Sequence, residues 1–190
     1  MEFRGHVRNT INFLGSGYFV RVPELLRLSQ WERLVVTLLL TALMPMALHA
    51  LPITSPSGLG QMWLPIFYAP LIAALCFRPH VAILAGLCGP SINNFIFGMP
   101  ADGLVLSLTF TLVVFSAAIL LLRRRVQPSG GMVALAYTGA FFFARFIFAQ
   151  GTFVELVHGA LRSVAIALPG IVVLAVVAEI VRHFHQRQDA

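Results

Sequence analysis

Six nearly uncharged apolar stretches, at about 34–51, 62–77, 81–97, 104–122, 132–149 and 164–181, run through this sequence, and Arg145 and Glu179 are the only Arg, Lys, Asp or Glu residues inside them. A bilayer core takes roughly 20 apolar residues per spanning helix. Six spans would use about 120 of the 190 residues, which leaves no room for a sizeable extramembrane catalytic domain. The expected fold is an all-α integral membrane protein, a compact bundle of six transmembrane helices with both termini cytoplasmic. Residues 1–33 read as a cytoplasmic or interfacial N-terminal segment, 34–182 as the membrane domain and 183–190 as a cytoplasmic tail. A content of 58% hydrophobic and 11% charged residues excludes an ordinary soluble domain.

The net charge of +6 does not point to nucleic acid. All 13 basic residues are arginine, and most stand just outside the apolar stretches, where they meet headgroups and set topology. Eleven fall on one set of alternate connections, around Arg33, Arg78, Arg123–Arg125 and Arg182. The other set holds only Arg162, with Arg145 inside the fifth stretch. The arginine-rich side is expected to be cytoplasmic, in a multi-pass protein of the cell's inner (cytoplasmic) membrane. Cys76 and Cys88 read as small buried hydrophobes rather than a disulfide, and no signal-peptide cleavage is expected. Residues 18–33 read as an interfacial helix leading into the first span.

Proline, glycine and polar residues collect at the arginine-poor ends, which suggests a cavity opening there, because irregular backbone at membrane depth is tolerated where protein buries it or water wets it. The connection after the first stretch offers Thr54, Ser55 and Gln61, with Trp63 beyond. In the third stretch, Gly89-Pro90 is followed by Asn93 and Asn94, and two adjacent amides cannot share one helix face. At least one of them therefore faces protein or a ligand. Arg145 is either a functional intramembrane cation or a side chain that snorkels to the headgroups. Glu155, His158 and Arg162 are spaced for one helix face and read either as a surface ion-pair ladder or as the rim of a pocket. No Walker A, His-Glu-x-x-His or Gly-x-Ser-x-Gly pattern occurs, so no enzyme, cofactor or metal is expected.

The stretch from Met62-Trp-Leu-Pro-Ile-Phe-Tyr-Ala-Pro through Gly89-Pro-Ser-Ile-Asn-Asn-Phe-Ile-Phe-Gly-Met-Pro100, together with Leu168-Pro-Gly-Ile171, resembles the substrate-binding S components of energy-coupling factor (ECF) transporters. The resemblance covers roughly residues 34–182. It implies a six-helix bundle without its own ATPase that captures a water-soluble vitamin or related small organic nutrient from outside. It also implies docking on a membrane T component that carries two ATP-binding-cassette subunits, and ATP-driven reorientation of the whole bundle. The family's pocket positions fall on Thr54, Ser55, Gln61, Trp63, Asn94, Arg145, Glu155, His158 and Arg162. Thr37-Leu-Leu-Leu-Thr41 is the nearest match to the family's Ala-x-x-x-Ala docking pattern and would be the partner-docking face. The alternative is a structural or scaffolding membrane protein whose arginine-poor end is packed solid.

Overall fold

The computed structural model describes residues 28–49 and 59–188, and the chain is all-helical over them, with no strand. The helices are α1 (Gln30–His49), α2 (Leu59–Trp63), α3 (Pro65–Cys76), α4 (Pro79–Phe97), α5 (Asp102–Leu122), α6 (Gly130–Phe148), α7 (Phe153–Ile166) and α8 (Leu168–Gln188). Four of them, α1, α4, α5 and α6, are long and apolar enough to cross a membrane, and the α7–α8 pair adds a fifth if it is taken as one span bent by 61°. That is the make-up of a multi-pass membrane protein.

Two of the six expected stretches have a different form. The second is α3, a 12-residue helix preceded by the short α2, and 12 residues rise only about 18 Å against a hydrocarbon core of about 30 Å. The two pieces are separated at Leu64, which has left-handed backbone (φ 53°) ahead of Pro65. The sixth stretch begins inside α7 and turns at Ala167, so the last helix starts at Leu168 rather than at 164. Pro169 explains the position of the break, because proline lacks the N–H that would continue α7 but is well suited to a first helical turn. The expected interfacial segment 18–33 lies outside the described residues up to 27. Its last residues belong to α1, which starts in a capping box: the Ser29 N–H donates to Glu32 Oε2 (2.5 Å) and the Glu32 N–H to Ser29 Oγ (3.3 Å).

Polar contacts tie the arginine-bearing helix ends together. Arg123, just past α5, is buried and donates through Nη1 to the Ala74 and Phe77 carbonyls at the end of α3, which have no helical N–H to meet. The Arg33 guanidinium lies over the Phe77 ring at 5.8 Å. At α8, Glu179 pairs with Arg182 (2.5 Å) and accepts the first N–H of α6 from Gly130 (2.8 Å). The starts of α1, α4 and α6 and the ends of α3, α5 and α8 therefore share one end of the bundle.

Between the ends, small residues let backbones meet, as membrane helices do when no hydrophobic gain separates helix from lipid. A Cβ on Gly86 would lie 3.2 Å from the Leu112 carbonyl of α5, and one on Gly89 would lie 2.7 Å from Thr41 Cγ2 of α1. Gly170 seats α8 against the α2–α3 joint, where a Cβ would come within 2.8 Å of Trp63 and Leu64 atoms. The outward faces are apolar, with Leu39, Leu43, Phe95 and Val172 exposed among many.

This packing predicts opposite signs for two like substitutions. Gly170→Ala is expected to destabilise by about 1–3 kcal/mol through overpacking. Gly139→Ala, mid-helix with nothing within 4 Å of a Cβ, is expected to be neutral or to stabilise by up to about 1 kcal/mol. Thermal unfolding of the two variants in the same detergent distinguishes them.

Candidate functional site

The opposite end of the bundle contains a cavity of about 480 Å³ between α3, α4, α5 and α6. Local backbone chemistry sets its wall between α1 and α4. Pro45 in α1 has no N–H, so the Thr41 carbonyl loses its helical partner. Asn93 of α4 reaches across and donates Nδ2 to that carbonyl at 3.0 Å. Both Pro45 and Asn93 line the cavity. Asn93 is only 2% exposed, and its Oδ1 has no hydrogen-bond partner among the described residues.

The floor is aromatic. Phe67 meets Phe115 and Tyr137 edge to face (centroids 5.3 and 5.2 Å), and Tyr137 stacks on Phe141 at 6.1 Å. Phe67, Tyr137 and Phe141 all line the cavity, with Leu104, Leu108 and Ser107 from α5. On α6 the lining residues Tyr137, Phe141 and Arg145 recur every four positions, which stacks them on one face over about 12 Å. Thr111 spends its hydroxyl proton on the Ser107 carbonyl (2.7 Å). Gln61 and Arg145 supply polar groups in the half nearer the helix ends, and α7 contributes Ser163.

Of the residues singled out from sequence, Gln61 and Arg145 line this cavity. Thr54 and Ser55 lie outside the described residues. Trp63 is half-buried, with its backbone against Gly170 and its carbonyl accepting from the Tyr68 hydroxyl, and it does not line the cavity. Asn94 points the other way from Asn93: its Nδ2 donates to the Pro100 carbonyl and to Asp102 Oδ1, each at 2.8 Å, closing the α4–α5 turn. Glu155 completes the capping box of α7 with Thr152, and the short distance between Gly151 and its carboxylate belongs to the same turn. That hydrogen bonding holds Glu155 away from the cavity. His158 and Arg162 share its exposed face and do not line the cavity either, because α7 turns its other face inward, where Ala160 is buried.

The expected docking pair also faces inward. Thr37 and Thr41 are 2% and 0% exposed, and Thr41 packs on Gly89 of α4. Their hydroxyls donate to the carbonyls four residues back. The small-residue spacing is satisfied inside the bundle, and the outward side of α1 carries Val35, Leu39 and Leu43 instead.

Asn93, Ser107, Thr111, Tyr137 and Ser163 were not chosen from the sequence as site residues. For Asn93 a signal was present: a proline in each of α1 and α4 frees carbonyls, and a neighbouring amide is the natural partner. Among the described residues, no group of three or more His, Cys, Asp or Glu side chains is placed to hold a metal ion. Compared with protein-family models, curated proteins and solved structures, the chain matches none.

The Asn93–Thr41 bond is testable by a double-mutant cycle. Asn93→Ala is expected to cost about 1–3 kcal/mol, and that cost is expected to fall by about 1 kcal/mol in a Pro45→Ala background, where residue 45 regains its own N–H for the Thr41 carbonyl. Denaturant or thermal unfolding of the four proteins measures the coupling.

Proposed function

We propose that this chain is a membrane-embedded substrate-capture subunit that works as the S component of an ECF-type importer, taking up a water-soluble vitamin or related small organic nutrient. The observation that carries the reading is the cavity. Its size suits a small organic molecule, its floor is aromatic, its polar groups are few, and it lies at the bundle end opposite the arginine-bearing one. In this reading the short α3 and the last helix α8 complete six passages, so both termini lie with the arginines on the cytoplasmic side of the inner membrane. The cavity then opens outward.

The capturing chain needs no nucleotide of its own. A T component and two ATP-binding-cassette subunits supply the energy, and reorientation of the bundle delivers the ligand inward. With Thr37 and Thr41 occupied inside, the docking surface for that partner is one of the outward apolar faces, and α1 with Val35, Leu39 and Leu43 offers one. The scaffold alternative requires a solid arginine-poor end, and a cavity of about 480 Å³ there favours capture.

Mass spectrometry of small molecules extracted from the detergent-purified chain tests the capture step. One organic compound is expected near stoichiometric yield without ATP. Ser107→Trp, which fills the cavity from a half-exposed position, is expected to lower that yield at least tenfold. Uptake into cells is expected only when T and ATPase subunits are co-expressed. Recovery of no compound from cells grown on several media, or equal recovery from Ser107→Trp, would overturn the reading.

A further inference from the structure

The polar groups of the cavity are specific about charge. Arg145 lines it, and no acidic side chain does. Among the described residues, Arg145 has no carboxylate within ion-pair distance. Its guanidinium runs beside Gly159 of α7, where an added Cβ would lie 3.0 Å from Nη2, so the absence of a side chain at 159 gives the cation its seat. A site with one cation and no anion favours a ligand carrying one negative charge, and it disfavours an amine.

Phe67, Tyr137 and Phe141 supply flat apolar surface in the same cavity. Asn93 adds no grip on a ligand: its Nδ2 is committed to the Thr41 carbonyl, and its unpaired Oδ1 is buried within the wall.

We propose that the cavity selects a flat, aromatic monoanion, with its carboxylate on Arg145 and its ring against Phe67, Tyr137 and Phe141. The proposal rests on the capture reading above and narrows its substrate class: aromatic carboxylates are admitted, and cationic or neutral rings are selected against.

Three probes separate the contributions by calorimetric titration of the detergent-solubilised chain. Indole-3-acetate carries ring and carboxylate, 3-methylindole lacks the carboxylate, and tryptamine replaces it with a cation. Indole-3-acetate is expected to bind tightest, with 3-methylindole at least tenfold weaker and tryptamine weaker still. In Arg145→Gln the advantage of indole-3-acetate over 3-methylindole is expected to shrink to less than threefold. This ranking in the unmodified protein needs no variant to fold, so it stands as a test by itself.

Equal or tighter binding of 3-methylindole or tryptamine overturns the anion assignment, as does an acid preference that survives in Arg145→Gln. Binding of none of the three overturns the proposed ligand class. The capture reading is judged separately, by whether a compound co-purifies, so a co-purified compound of another chemistry leaves capture standing and removes only this inference.

Discussion

The arginine-poor half of this bundle depends on one hydrogen bond between helices, from Asn93 Nδ2 to the carbonyl of Thr41. It exists because Pro45 cannot donate to that carbonyl. An unsatisfied carbonyl in an apolar surrounding costs several kcal/mol on hydrocarbon reference scales, so α1 is committed to α4 at that level. The approach is close because Gly89 presents no side chain to Thr41. Proline, amide and glycine thus act as one device. Its by-product is an amide locked in orientation at the wall of a cavity, with its oxygen still unpaired.

The other half is held by a different arrangement, in which charged side chains serve helix ends. Arg123 takes the last carbonyls of α3, and Glu179 takes the first N–H of α6. Both place the charge that the exposed backbone dipoles favour. Burial works against this for Arg123, lowering its pKa from the usual arginine value through desolvation and the neighbouring Arg124, while the two carbonyls offset part of that cost. The division is one of chemistry as well as of packing. One end is closed by an ion pair and by side chains that cap helix ends, and the other is left with hydrogen-bonding groups around open space.

What was legible in the sequence followed from periodicity and charge. Uninterrupted apolar length marked α4, α5 and α6 to within a few residues, and the arginine pattern separated the two ends of the bundle that the structure also separates. The gap between the stretches ending at 77 and starting at 81 marked the short connection between α3, which ends at Cys76, and α4, which begins at Pro79. The site was legible only where a residue type was expensive enough to stand out, as with Arg145. The choice between Asn93 and Asn94 was not, because it depends on which carbonyl lies across the interface, and that is set by the α1–α4 register. Glu155, His158 and Arg162 show the converse. Their common face was correctly spaced, but spacing does not say which face of α7 turns inward, and a local capping box had already claimed Glu155. Likewise Thr37-x-x-x-Thr41 marks a close helix contact without saying whether the second helix belongs to this chain or to another.

At Arg145 the chemistry of a helix end meets that of the cavity. Snorkelling and function were alternatives for this residue, and the structure makes them compatible: the side chain is exposed, yet it lines the cavity. It stands in the last turn of α6, where the helix C-terminus favours a cation, and its guanidinium rests beside Gly159. A charge in that position is tolerated at membrane depth without a carboxylate partner, since both the helix end and water are within reach. Had an acid neutralised it, the charge would have been structural and the cavity neutral. Because the fold supports the cation without pairing it, the charge remains available to whatever enters the cavity.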